Sequence, residues 1–348
     1  MRVDLGSFSR AELAPLPTPL EDCPRLAEHL GGPPILIKRD DATLVGAGGN
    51  KVRKLEYLLG KAQADGADTV ITFGAVQTNH GRQTAAACAR LGLRCQLVLT
   101  ELVPRSDDAY LRSGNILLDT VFGAEVHICP GEDETVETFQ RLMSEAEKEG
   151  RNVAVLPLGG SDAVGVLGYA NAAAELTGQL AERGTTASKV VVPCSSGGTV
   201  AGLVLGTALL GSDLMIHAAC VSHSASETEH TVATLLADAA DMLGVHTPSL
   251  DRVSFDDSVL GAGYGIPDER VWRAIRLVGT MTGIPLDPVY SGKAAALLID
   301  TVSESGGGAP VVFLHTGGMP GLFGYASEAS TELAAVSNMT SAVQDTMS

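Results

Sequence analysis

A lysine that opens a helix is electrostatically out of place. In Gly48-Gly49-Asn50-Lys51-Val52-Arg53-Lys54-Leu55-Glu56, two glycines and Asn50 allow a tight turn that presents Lys51 at a helix amino end. The positive end of the macrodipole disfavours a cation there. Lys51 is either a solvated first-turn residue or an amine whose pKa is lowered by its surroundings, suited to a Schiff base. Downstream, Gly74-Ala75-Val76-Gln77-Thr78-Asn79-His80-Gly81-Arg82-Gln83 brings a hydroxyl, amides and unpaired N–H groups to a second helix start, a ready site for a carboxylate. An ordinary N-cap by Thr78 or Asn79 is compatible with that use. Pro193-Cys194-Ser195-Ser196-Gly197-Gly198-Thr199 can cradle a phosphate. It matches neither G-x-x-x-x-G-K-[ST] nor a clean G-x-G-x-x-G, and alone it reads equally as a small-residue turn. Tyr264 and Tyr290, two of six tyrosines, lie in the Gly/Pro turns Gly263-Tyr264-Gly265-Ile266-Pro267 and Asp287-Pro288-Val289-Tyr290-Ser291-Gly292-Lys293. As plain structure, each is a rim tyrosine packed on a loop. In Phe313-Leu314-His315-Thr316-Gly317-Gly318 a buried strand ends in polar residues; His315 alternatively belongs to the core and Thr316 to a helix cap.

These segments need a scaffold, and the pattern between them supplies one. Short apolar runs at 35–37, 69–72, 95–99, 153–156, 189–192, 215–220 and 311–314 read as buried strands. Helical stretches are expected over 51–64, 79–91, 134–149, 164–183 and 268–282, with another apolar helix after Gly198. Strand–helix alternation implies parallel strands joined by crossover helices, hence a three-layer α/β fold. In open sheets of this kind ligands sit beyond the carboxyl ends of the strands. Several glycine pairs, Gly159-Gly160 among them, fall at those ends.

Composition narrows the ligand. Asp and Glu outnumber Lys and Arg by 41 to 24, a formal charge of −17. A nucleic-acid backbone or an anionic membrane needs a basic face, so neither is expected as partner. Any bound anion must be held locally, by backbone amides and a few side chains. Glycine supplies 40 of 348 residues, above a usual share of about 7%. No apolar run reaches the roughly 20 residues of a membrane span, and the amino terminus lacks a signal-peptide pattern. The six cysteines are scattered without a C-x-x-C pair and the eight histidines do not cluster with them. Free thiols in a cytoplasmic protein are expected, with no metal site.

Taken together, GGNKxRKLE, QxNHxRQ, DPVYSGK and HTGG in this order resemble the fold-type II pyridoxal phosphate enzymes, the tryptophan synthase β-like fold. Within them, the motifs look like the branch containing D-cysteine desulfhydrase, L-cysteate sulfo-lyase and 1-aminocyclopropane-1-carboxylate (ACC) deaminase. The resemblance runs from about Thr18 to Tyr325. It implies pyridoxal 5'-phosphate as cofactor and Lys51 as the lysine that carries it. Asn50, Asn79, Ser195, Ser196, Gly197, Gly198, Thr199 and Thr316 are the implied cofactor contacts, with Asn79 at the phenolic oxygen and Thr316 facing the pyridine nitrogen. Gln77, Thr78, Asn79, His80, Gly160, Tyr264 and Tyr290 are the implied substrate contacts; Thr78, Tyr264 and Tyr290 join Lys51 as catalytic candidates. Two positions depart from the family: Thr78 is usually serine, and Ser195 stands where glycine is common.

The resemblance also implies an architecture and a reaction. A large lobe of 1–53 and 164–326 is expected to hold the cofactor, with a small lobe of 54–163 inserted in it, a flexible tail at 327–348, and a homodimer as assembly. ACC deaminase-like sequences carry an acid where Ser291 stands and an aliphatic residue where Thr316 stands. A hydroxyl facing the ring nitrogen makes a shallower electron sink than a carboxylate, enough to expel a thiolate or sulfite but ill matched to opening a cyclopropane. The expectation is β-elimination on D-cysteine, giving pyruvate, ammonia and hydrogen sulfide. L-cysteate is the runner-up, with His80, Arg82, Gln83 and His315 as candidate donors to its sulfonate. ACC deaminase activity and a non-catalytic pyridoxal phosphate-binding role rank below both.

Overall fold

The computed structural model describes residues 5–334. Among the described residues, ten strands form two sheets: β1 (Leu20–Asp22), β2 (Ile35–Arg39), β3 (Thr69–Ala75), β4 (Arg94–Thr100), β5 (Glu125–Cys129), β6 (Val153–Val155), β7 (Lys189–Cys194), β8 (Met215–Cys220), β9 (Val253–Asp256) and β10 (Val311–His315). The helices between them are α1 (Pro24–Leu30), α2 (Lys51–Ala64), α3 (Asn79–Leu91), α4 (Asp108–Arg112), α5 (Asn115–Val121), α6 (Glu132–Lys148), α7 (Ala163–Glu182), α8 (Gly198–Leu210), α9 (Ala225–Leu243), α10 (Glu269–Thr282), α11 (Ser291–Ser305) and α12 (Met319–Gly324). The larger sheet has the order β1-β2-β10-β7-β8-β9 and the smaller β5-β4-β3-β6. Every pairing is parallel except β1 with β2.

Period-two alternation builds the layers. Along β10, Val311 and Phe313 face one core with residues of α10 and α11, while Val312 and Leu314 face another with residues of α7, α8 and α9. The large sheet is therefore buried on both faces, as parallel sheets require. In β4, Leu97 and Leu99 share the first core with Ala85 and Ala87 of α3, whereas Val98 packs on Leu142 of α6. All four strands of the small sheet fall within 69–155. No helix among the described residues is long and apolar enough to cross a membrane. All six cysteines are free and buried.

A buried ion network fixes the start of α2. Arg53 donates from Nε and Nη2 to the two oxygens of Asp40, each at 2.8 Å, and from Nη1 and Nη2 to Glu175 of α7 at 3.0 and 2.8 Å. Lys38 donates to Glu175 as well, and Tyr169 to Asp40. Two cations thus meet two carboxylates in a nearly dry space.

One expectation needs correction. The stretch from 327, anticipated as a flexible tail, is helical as far as 334. It is anchored by the buried Ala329 and by Glu328, which pairs with Arg105 and accepts from the Trp272 indole at 3.2 Å. Residues 335–348 lie outside the described residues.

Candidate active site

Carboxyl ends of both sheets open onto one cavity of about 290 Å³. Ala75 ends β3, Cys194 ends β7, Thr316 follows β10, and Ser222 and His223 follow β8; all line it. This is where ligands bind in open parallel sheets. Of the residues singled out in the sequence, Asn50, Lys51, Thr78, Asn79, His80, Ser195, Ser196, Gly197, Thr199, Tyr264, Tyr290 and Thr316 line the cavity.

Lys51 opens α2 with Nζ 3.2 Å from Asn50 Oδ1 and 6.0 Å from the centre of the Tyr290 ring. Burial lowers its pKa to about 8, although Cys194 and Asp287 pull the other way. Close packing of three segments fixes this turn. The Asn50 N–H donates to the Thr316 carbonyl at 2.9 Å, and the Asn50 side chain donates to Thr199 Oγ1 at 3.0 Å. Gly317, at φ +90°, lies so close that a Cβ there would stand 2.7 Å from the Gly49 Cα. Only glycine permits that approach.

Opposite Lys51, the turn after β7 leads into α8, whose first N–H groups have no intrahelical partner. Ser196 Oγ lies 2.8 Å from Ser161 Oγ, which accepts from the buried Lys54 Nζ at 2.9 Å. The small residues thus form a cradle of hydroxyls and amides backed by the buried Lys54 amine, whose pKa burial and the nearby Lys51 lower well below the usual lysine value, suited to a phosphate. At α3, Thr78 caps the helix by accepting from the Gly81 N–H at 3.3 Å. Asn79 Oδ1 accepts from Asn115 Nδ2 at 3.0 Å and from Arg82 at 3.4 Å, which fixes its amide orientation.

His80 is deeply buried, and burial with two nearby lysines keeps its pKa well below the usual histidine value. Thr72 Oγ1 donates to the Leu156 carbonyl at 3.0 Å, so at its 2.8 Å contact it accepts from His80 Nε2–H. Nδ1 is therefore the unprotonated nitrogen, and it has no partner among the described residues. Across the cavity, the hydroxyls of Tyr264 and Tyr290 are 2.6 Å apart. Burial pushes Tyr264 up to about 12 and raises Tyr290 as well, so both phenols keep their protons at neutral pH.

Three of the expected contacts stand elsewhere. Gln77 does not line the cavity; its amide spans the Tyr110 and Ser113 carbonyls and the Asn115 N–H, joining loop segments behind the site. Gly160 is covered by Leu58, His80 and Lys54, and its neighbour Gly159 lines the cavity instead. Gly198 opens α8 without lining the cavity, and its N–H turns back to the Ser196 carbonyl at 3.0 Å. Ser291 is also misplaced by the reading that paired it with Thr316. It is fully buried and donates to Asp287 Oδ1 at 2.6 Å. Arg82, Gln83 and His315 are buried in framework hydrogen bonds outside the cavity wall. Sequence reasoning missed His223, although its place just past a strand end could have flagged it, and it missed Lys54, hidden as one charge in a charged helix.

The donor set fits pyridoxal phosphate: a half-buried amine of lowered pKa for an aldehyde, a cradle for a phosphate, and the Thr316 hydroxyl past the end of β10 for a ring nitrogen. Comparison with known proteins agrees. The family model described as "Pyridoxal-phosphate dependent enzyme" matches residues 11–317. The chain is 42% identical over 323 residues to the D-cysteine desulfhydrases of Salmonella choleraesuis and Salmonella newport, covering 92% of this chain and 97% of each relative. A solved structure described as an ACC deaminase homologue superposes with a TM-score of 0.85 at 38% identity, covering 94% of this chain and 98% of the other. A fungal L-serine ammonia-lyase from Rhizomucor miehei superposes with a TM-score of 0.65 at 17% identity, covering 92% and 98%, and shares the fold.

Proposed function

Because the chain belongs to the pyridoxal-phosphate dependent enzyme family, we propose that it is a carbon–sulfur lyase converting D-cysteine and water to pyruvate, ammonia and hydrogen sulfide. The observation that carries this reading is the half-buried amine of Lys51, of lowered pKa, between a phosphate cradle and a pair of protonated tyrosines, in a chain 42% identical to D-cysteine desulfhydrases. Bound pyridoxal phosphate supplies the electron sink that makes the α-proton acidic and the β-substituent expellable. Lys51 would hold the cofactor, Ser195, Ser196, Gly197 and Thr199 would take its phosphate, and Asn79 and Thr316 would meet its phenolic oxygen and ring nitrogen. The N–H groups opening α3, with Thr78, hold the substrate carboxylate. Lys51 Nζ takes the α-proton, and Tyr290, bonded to Tyr264, gives a proton to the departing sulfur.

The cavity wall also bears on the competing substrates. A sulfonate would bring a second permanent anion, yet of its four candidate donors only His80 lines the cavity, and His80 is uncharged. The thiol of cysteine makes no such demand. Thr316 on the wall, where ACC deaminase-like sequences carry an aliphatic residue, supports elimination over cyclopropane opening. A division into a large lobe (1–53, 164–326) and an inserted lobe (54–163) is supported by the two separate sheets. A homodimer in the cytoplasm completes the proposal. Pyruvate release from D-cysteine, L-cysteine and L-cysteate, with 2-oxobutyrate release from ACC, tests it: D-cysteine should be turned over fastest, and a faster L-cysteate or ACC reaction would replace this reading.

Two outcomes follow from the site's local chemistry. Below about pH 8 Lys51 is mainly an ammonium and above it a free amine, so the rate of pyridoxal phosphate uptake by the apoenzyme should rise with pH through a midpoint near 8. Stopped-flow absorbance would show it, and a flat profile would mean the amine is not the group that titrates. Gly159→Ala would place a methyl 2.3 Å from Ser196 Oγ at a residue with φ +65°. Equilibrium titration should give about tenfold weaker cofactor binding, about 1.4 kcal/mol, with far-ultraviolet circular dichroism unchanged. Unaltered affinity would show that Ser196 gives way without affecting the cradle.

A further inference from the structure

Lys293 is a buried ammonium that the reaction above does not use. It lies three residues beyond Tyr290, in the first turn of α11, and is 1% exposed. Its Nζ donates to the Leu260 carbonyl at 2.7 Å and to the Gly263 carbonyl at 2.9 Å. Those carbonyls belong to the irregular turn that presents Tyr264. On the other side of Tyr264, the Gly265 carbonyl accepts from the buried Tyr325 hydroxyl at 2.7 Å. The Gly263–Tyr264 and Gly265–Ile266 peptide units, one on each side of Tyr264, are thus pinned by side chains from elsewhere in the chain.

The same short motif holds the partner tyrosine. Asp287 Oδ2 accepts from the Val289 and Tyr290 N–H groups at 2.9 and 2.8 Å, and Oδ1 from the Ser291 N–H at 2.9 Å. Asp287 therefore sets the backbone of Tyr290, while Lys293 sets that of Tyr264, across a gap closed by the 2.6 Å hydroxyl contact. No side-chain carboxylate bonds to Lys293 among the described residues. Asp268 supports its charge only from a distance, against burial that lowers its pKa to about 8. An ammonium kept in so unfavourable a place needs strong acceptors, and the two carbonyls are those acceptors.

We propose that Lys293 is a positioning residue for the tyrosine pair: through the Leu260 and Gly263 carbonyls it holds Tyr264 against Tyr290, and so sets the proton donor at the departing sulfur. The inference rests on the lyase reading and adds a residue to it. Lys293 touches neither substrate nor cofactor; it acts through Tyr264.

The test is a double-mutant cycle on holoenzyme. Lys293→Met should lower kcat for D-cysteine about 10- to 100-fold, the cost of misplacing a reacting group, with cofactor absorbance and KM little changed. Lys293→Arg, which keeps charge and donors, should recover part of the loss. In a Tyr264→Phe background, where there is no hydroxyl left to position, Lys293→Met should remove little more. A fully additive loss, or an unchanged kcat in Lys293→Met alone, would overturn the proposal. If Lys293→Met does not fold, Lys293→Gln carries the same cycle. Hydrogen exchange of the holoenzyme gives an arm independent of turnover: exchange should quicken over 257–266 in the variant, and unchanged exchange there would also overturn the clamp. Absence of pyruvate from the wild-type protein would defeat the lyase reading instead, leaving the exchange arm to decide on Lys293.

Discussion

Lys51→Ala is expected to lower pyruvate formation from D-cysteine by about 10³-fold or more and to abolish the absorption band of the bound cofactor. The size of the effect follows from what else lines the cavity. Cys194 is raised to about 12 by burial and the phenols of Tyr264 and Tyr290 are raised too, so none of the three is a base near neutrality. His80 has a bare Nδ1, but its basicity is depressed by burial and by Lys51 and Lys54. Lys54 is committed to Ser161 and the Gly159 carbonyl. Among these groups Lys51 combines position with basicity. Lys51→Arg should fare no better, because a guanidinium keeps the charge but not the nucleophilic, titratable amine. Retention of wild-type turnover by Lys51→Ala would remove the basis of the proposed chemistry.

The second large effect is on folding. Arg53→Met should destabilise the protein by about 3–5 kcal/mol, because it strands a carboxylate in a dry interior. Asp40 has no exposed surface. Burial raises its pKa, yet the charge and hydrogen bonds of Arg53 outweigh that and hold it below the usual carboxylate range. The pair therefore contributes stability above the unfolded-state carboxyl pKa, and that contribution is lost as pH falls through the lower folded-state value. Urea unfolding of the wild type and variant should show a lower midpoint at unchanged m, with the gap narrowing in acid. An Arg53→Met midpoint equal to wild type would mean that the surroundings relax around Asp40. Activity should fall with stability, since Arg53 lies two residues past Lys51 and ties the same helix to α7.

The local features of the site were legible in the sequence because they are local in cause. The helices α2 and α3 begin and end where their motifs and caps indicated, at 51–64 and 79–91. Strand ends could be read from apolar runs because parallel strands are buried on both faces. The edge strands β1, β5 and β9 escaped notice: β1 and β9 are short, and β5 mixes exposed, half-buried and buried residues without an apolar run. Long-range pairing was equally invisible. Arg53 finds Glu175 across 122 positions, and a charged residue in a helix reads by default as surface. Gln77 and Gly160 were assigned by motif adjacency, but each lies one step outside the wall because its own packing duties turn it away. Ser291 shows the same limit: its position in the motif was clear, but its bond to Asp287 was not.

Burial of all six thiols takes on a chemical meaning beside the proposed product. Exposed, ionised cysteines attack the polysulfides that form when released sulfide is oxidised, giving a persulfide and a shortened polysulfide, since the thiolate is the nucleophile. Here Cys194 stands on the wall of the chamber where sulfide would be released, yet it is held as a neutral thiol with a pKa of about 12. Cys23 is pushed to about 11, and Cys95 and Cys220 are raised as well. Packing alone thus keeps these thiols away from the chemistry that the proposed product would bring.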